Sequence, residues 1–539
     1  MTSPTSQPPP TSAPGTPPRS SPASALLLAP LALGLALSLA ACRPPEPPPA
    51  EPASLGHPER RGLSLLAVPL TSLLPEPVDP RRSLAVTDQA IASRFSFQEV
   101  MERLAAQSDI PGLTALQLYR EWWDSQRPAP GLGLGGPHCD DLKNASGQAV
   151  LNDFPYTCPR AEGAQADENP FDSPATNPAA YVPLGVFNRF DLAATNGSDC
   201  GEYRLLFARR SGIANANARN FIMFEAVLPN PQPELGLEGC RPLVQFWADL
   251  THEPDVTARG DALRRLYFDG LPGFPPVLHL DNFGNATTRA TGQVRTNQFM
   301  QSTWTLREFR LRKRCTASAC TLRFEPDTVK TNPAGLLFSP TATHPLKAEF
   351  QTTAFPAQVA SLAVADLFRF GMNLDNRFNG GQSNSIGTDN SYVFQLGSAA
   401  SPLKTTLQQQ LTALGSTLTP TQVVARAQAL SCAGCHQLST RTDLGDGLTW
   451  PFKSNTFGFI HVSERTLEAG PDGPRYAVSE AMTTTLLPHR EELMEAFLGQ
   501  RPPFCLGADE PPPVDNTLPE CKLPTSSDPS NAVRVTPSE

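Results

Sequence analysis

Basic residues are in deficit: 43 Lys and Arg face 52 Asp and Glu, a formal net charge of −9. Nucleic-acid binding needs a cationic footprint, so the charge argues against that class. After residue 41 no apolar run approaches the roughly 20 residues that span a bilayer. No segment repeats at a fixed period, which removes solenoids and propellers. G-x-S-x-G, a phosphate-binding glycine loop and H-E-x-x-H are all missing, so the common hydrolase, nucleotide and zinc-protease sites have no anchor. C-x-x-C occurs once and H-x₃₋₅-H not at all, so the spacing assembles no four-ligand zinc site.

Proline and cysteine are plentiful instead. The 58 prolines crowd the two ends of the 539-residue chain, so the globular part is smaller than the whole. That part is still long enough for more than one domain, and a hydrophobic fraction of 40% is enough for real cores. Eleven cysteines are many for a reducing compartment. With Cys42, Cys432 and Cys435 set aside, the rest fall into near neighbours: Cys139 with Cys158, Cys200 with Cys240, Cys315 with Cys320, Cys505 with Cys521. Four local disulfides are expected, although spacing alone does not fix the connectivity.

The N-terminus reads as an address. Residues 25–41 are apolar, too short for a typical membrane span and typical of a signal core. The run ends in Leu39-Ala40-Ala41-Cys42, which resembles the lipobox of bacterial lipoproteins. The resemblance implies acylation of Cys42 and a lipid anchor. An uncleaved anchor or an ordinary cleaved signal are the other readings, and both also export the chain. The Pro-rich stretch after Cys42 is expected to be an extended spacer.

Along the rest, 83–128 reads as helical, with Ser96 to Glu99 as a capping box and Phe97, Met101 and Leu104 on one face. Residues 129–178 read as an irregular excursion stapled by Cys139 and Cys158. Short β-branched and aromatic runs follow: 181–192, 202–209, 220–228, 242–250, 293–300, 304–312 and 321–325, the last two as a hairpin closed by Cys315 and Cys320. Helix signals return at Pro356, with the stripe Val359, Ala363, Leu367 and Phe370, and at Pro402. The expected architecture is multidomain α+β. It has a signal segment (1–42), a linker (43–80), a helical and irregular segment (81–178) and a β-rich domain (179–400). A mostly α cytochrome c-like haem domain (401–501) and a flexible tail (502–539) complete it. Asn188, Asp191, Asn196, Asp199 and Glu202 form an oxygen-rich cluster. It could hold calcium, but such residues make turns for local reasons, and that reading is favoured.

Cys432-Ala433-Gly434-Cys435-His436 is the motif that carries chemistry. Two thiols two residues apart can form thioethers with the haem vinyl groups, and the next histidine can ligate the iron from below. Thr419-Pro420-Thr421-Gln422 is a capping box, and its helix runs straight into Cys432. A closing helix is expected over 488–498. Here residues 404–500 resemble class I c-type cytochromes, with Val424 and Gln428 where that family often has a glycine and an aromatic residue. The resemblance implies one haem c on Cys432 and Cys435, His436 as proximal ligand, and an axial residue near the last helix. Met482 and His461 are the candidates for that place, with Met494 read as core and His489 as solvated. The function expected is electron transfer in the cell envelope with redox-protein partners, facing the periplasm or the exterior, rather than catalysis. A non-redox surface or binding lipoprotein with a structural Cys432–Cys435 disulfide is the alternative.

Overall fold

The alternating runs between 181 and 327 close into one antiparallel sheet. The computed structural model describes residues 77–124, 138–297, 305–384, 387–435, 439–451 and 462–499, all within the unit Leu70–Glu539. The signal segment with Cys42, the linker up to residue 76, His436, His461 and the tail with Cys505 and Cys521 lie outside the described residues.

The sheet runs β1 (Ala85–Val86), β2 (Tyr181–Arg189), β3 (Asp199–Arg209), β4 (Phe221–Pro229), β5 (Gln293–Asn297) and β6 (Thr305–Cys315). Beyond β6, β7 (Cys320–Asp327) and β8 (Gln382–Asn384) share its far edge end to end. Cys315 lies opposite Cys320 and is disulfide-bonded to it, closing the expected hairpin. Cys139–Cys158 and Cys200–Cys240 are also disulfides.

Register sorts the side chains into two different faces, because residues two apart share a side. One face presents Leu205, Phe207, Phe224, Val294 and Phe309. Helices α1 (Phe97–Gln107) and α2 (Ala115–Asp124) cover it. Phe97 meets Phe207 at 5.3 Å and Trp122 meets Phe324 at 6.3 Å between ring centroids. Ser96 caps α1 by accepting from the Glu99 amide, one half of the expected capping box, while the Glu99 carboxylate pairs with Arg264. The other face carries Glu202, Arg204, Glu225, Arg295 and Glu308, also buried.

Residues 242–250, expected as a strand, are helical: α3 spans Arg241–Asp249. Pro242 stands in its first turn, and Leu243, Val244, Trp247 and Ala248 repeat at helical spacing on the buried side. α4 (Val256–Phe268) follows. The helix expected from Pro356 to Phe370 stops at Leu362. The buried Arg426 takes the carbonyls of Leu362 and Val364, each at 2.8 Å, and so draws the chain out of the helix.

The C-terminal part contains α5 (Tyr392–Leu396), α6 (Pro402–Ala413), α7 (Pro420–Leu430) and α8 (Leu487–Gly499). Between α7 and α8 the described residues include, besides the short helical turns Cys432–Cys435 and Met482–Leu486, two hairpins: Asp443–Gly445 with Leu448–Thr449, and β9 (Val462–Gly470) with β10 (Gly473–Val478). The Gly470-Pro471-Asp472-Gly473 turn favours the second hairpin. α7 packs on α5 and α6, whereas α8 packs on α3 and on Phe190–Leu192. One cluster of buried apolar residues extends from Val78 to Phe497.

Candidate haem-attachment site

α7 sets the direction of the motif. Thr419 accepts from the Gln422 amide while the Gln422 side chain accepts from the Thr419 amide, completing the expected capping box. The helix ends at Leu430, and a single 3₁₀ turn carries Cys432–Cys435. Cys432 and Cys435 are 3% and 5% exposed and are not joined to each other by a disulfide. His436, next in the chain, lies outside the described residues.

Several contacts hold this turn. The Ser431 hydroxyl donates to Gln428 O at 2.8 Å and accepts from the Ala433 amide at 3.2 Å. The Ser439 hydroxyl donates to Ala433 O at 2.5 Å. The indole Nε1 of Trp450 donates to Gly434 O at 2.7 Å, with the ring 1% exposed. Gly434 has no room for a side chain, since a Cβ there would run into the carbonyl of Ala429. Gln428 uses its amide locally, accepting from the Val393 amide at 3.2 Å and donating to Ser439 Oγ at 3.3 Å.

Two residues that the sequence did not single out act electrostatically on or near Cys432. Tyr392 stacks on Phe338 at 4.4 Å, and its phenol is pushed up by burial, with Ser431 and Cys432 both close enough to act on it. Arg295 of β5 is the other. Burial alone would lower its guanidinium, but Glu225, Glu308 and Cys432 hold it well above its usual value. Arg295 belongs to a chain of buried charges across the sheet. Arg295 pairs with Glu308 at 2.9 Å and Glu225 at 3.4 Å. Arg204 pairs with Glu225 at 3.4 Å and Glu202 at 3.0 Å, and Glu202 with Lys330 at 3.2 Å.

No family model, curated protein or solved structure matches the chain.

The remaining candidates separate. Met482 is 1% exposed and opens the turn that leads into α8. Met494 is buried on α8, as expected for core. His489 is not simply solvated: it is half-buried and its ring stacks on Phe368 at 3.8 Å. Burial outweighs Asp191 and the other nearby carboxylates and lowers its imidazole. The oxygen-rich cluster makes local contacts. Asp199 accepts from the Ala194 and Gly201 amides, Asn188 from Phe190, and Asp191 holds Arg189. Among the described residues no group of three or more His, Cys, Asp or Glu is placed to hold a metal ion.

A haem c needs two thiols on one short turn and a backbone that can pass close under the ring. The Cys432–Cys435 turn supplies the first of these, with both thiols buried. Cys432 and Cys435 would hold it covalently.

Proposed function

We propose that this protein is an envelope lipoprotein carrying one c-type haem on Cys432 and Cys435, with His436 as proximal ligand, and that it transfers electrons to and from other redox proteins. One observation carries the reading. The six described cysteines outside the motif are all in disulfides, the mark of an oxidising compartment, while the C-x-x-C pair is buried and not joined to itself. Thioether formation accounts for a dithiol kept in this way.

The bound haem supplies one-electron chemistry at its iron. The chain's own residues shape the place. The capped α7 delivers the turn, Trp450 and Ser439 fix its carbonyls, and Tyr392 lies close by. Met482 and His461 remain the candidates for the distal position. Attachment rests on this turn and does not require the helix pairing of class I cytochromes; α7 and α8 each pack on other elements here. Lipidation of Cys42 would provide the anchor.

The test is a reduced-minus-oxidised absorption spectrum after expression with haem-attachment machinery, before and after acid–acetone extraction. Bands that survive extraction and vanish in Cys432→Ser/Cys435→Ser are expected. A colourless product from a competent host would overturn the haem and favour the non-redox surface lipoprotein.

A further inference from the structure

The face of the sheet that carries the buried charges continues outward along the β6–β7 hairpin. Register sets Glu308 opposite Asp327, Arg310 opposite Glu325, Arg312 opposite Arg323 and Arg314 opposite Thr321. Residues two apart share a side, so Arg310, Arg312, Arg314 and Arg323 stand on one face with Glu325 and Asp327. β5 pairs with β6 only as far as Phe309, so no described strand flanks these arginines on that side.

The charges on this face do not balance. Arg310 is matched by Asp327 at 2.8 Å. Both oxygens of Glu325 are taken by Arg314, at 2.7 and 2.6 Å. Arg312 reaches the same carboxylate only at 3.5 Å. Arg323 has no ion pair among the described residues, and its Nε is shut off from water with no acceptor. Like charges directly opposite destabilise a strand pair. Arg312 and Arg323 form such a pair, in a chain whose net charge is −9. An anion seated between them would remove that cost.

The geometry selects the kind of anion. One guanidinium fork already fills a carboxylate, as Arg314 fills Glu325. Two forks that face each other ask for more acceptor oxygens on one group, and a phosphoryl group supplies them. We infer that the outer face of this hairpin binds a phosphoryl group between Arg312 and Arg323, with Arg314 beside them. The Cys315–Cys320 disulfide ties the two strands together at the tip. The bearer is an anionic phospholipid headgroup or a small soluble phosphate, which present the same chemistry. The site lies outside the Cys432 turn, so its test and the haem test fail separately.

Two arms at low ionic strength, where exposed charges are least screened, test the inference. One is calorimetric titration of the full chain with pyrophosphate. The other is sedimentation with phosphatidylcholine vesicles, with and without phosphatidylglycerol. It uses the full chain carrying Cys42→Ser, so that no acyl anchor contributes. Pyrophosphate binding with a Kd of about 1 mM or tighter assigns a soluble ligand, and sedimentation that depends on phosphatidylglycerol assigns a headgroup. Either should weaken roughly tenfold in Arg323→Gln, about the worth of one charged hydrogen bond. The same variant removes the opposed charge, so its unfolding midpoint should hold or rise. Arg312→Gln, on the facing strand, repeats the binding test. Absence of binding in both arms, or binding unchanged in both variants, would overturn the inference. Tighter binding of hexaglutamate than of pyrophosphate would also overturn it and assign the face to an acidic protein surface.

Discussion

Gly434 sits where the chain leaves α7, and the carbonyl of Ala429 occupies the space a side chain would need. Gly434→Ala should therefore destabilise the fold by about 1–3 kcal/mol, the usual cost of overpacking. It should also lower the yield of attached haem, because the turn that carries both thiols must shift. Thermal melting and the absorbance of extracted protein check the two effects. Trp450→Phe removes the N–H that holds Gly434 O and also part of a buried ring system. It is expected to cost about 2–4 kcal/mol, the unmet carbonyl and the void together, read as a lower unfolding midpoint. The motif residues were legible because their chemistry is written in five adjacent letters. Trp450, Tyr392 and Arg295 were not, since nothing in their local sequence marks them. They come near the turn only through the tertiary fold, and Arg295 lies 137 positions before Cys432 (432 − 295).

Elements were readable where their ends are signposted. α7 has Thr419, Pro420 and Gln422 in the places a capping box requires, and the structure uses all three. The β6–β7 hairpin was readable from two alternating runs around a close cysteine pair. α3 was misread because Leu, Val, Phe and Trp also suit strands, and its short span let composition outweigh period. The stretch after Leu362 was misread for a different reason: a distant arginine, Arg426, competes for its carbonyls. The disulfides offer a test at this scale. Cys200–Cys240 spans 40 residues and Cys315–Cys320 spans 5. On chain entropy alone the longer link is worth about 4 kcal/mol and the shorter about 2. Cys200→Ala/Cys240→Ala should thus lower the unfolding free energy more than Cys315→Ala/Cys320→Ala in calorimetry. Equal losses would assign the difference to packing or strain instead.

Across the whole molecule, the least legible feature is the charge chain inside the sheet. Arg295 meets Glu225 across 70 positions of sequence, and only strand order and register bring them together. Such pairs rarely stabilise a core more than apolar residues would, but removing one partner leaves the other buried and uncompensated. Arg295→Met should cost about 3–5 kcal/mol on that ground, measured by urea unfolding. Titration gives the molecule a further signature. Burial alone would raise Asp191 and Glu202, but Arg189 and Arg490 hold the first below the usual carboxylate range, and Lys330 and Arg204 hold the second well below it. Their stabilisation is present at neutral pH and is lost as pH falls below about 4 through the folded values. His279 and His489 are lowered from 6.5 chiefly by burial. The unfolded chain therefore takes up their protons first, and stability should begin to decline below about pH 6.5. Urea midpoints across pH 3–8 should fall in two stages, and a flat profile between pH 7 and 5 would contradict the histidine stage.

The most direct measurement is the intact mass of the full chain under denaturing conditions, after expression with haem-attachment machinery. An increment of one haem, carried through denaturation and absent from Cys432→Ser/Cys435→Ser, is the result expected. A mass without haem, two hydrogens lighter than the form in which Cys432 and Cys435 are reduced, would instead show a disulfide between them and contradict the covalent haem.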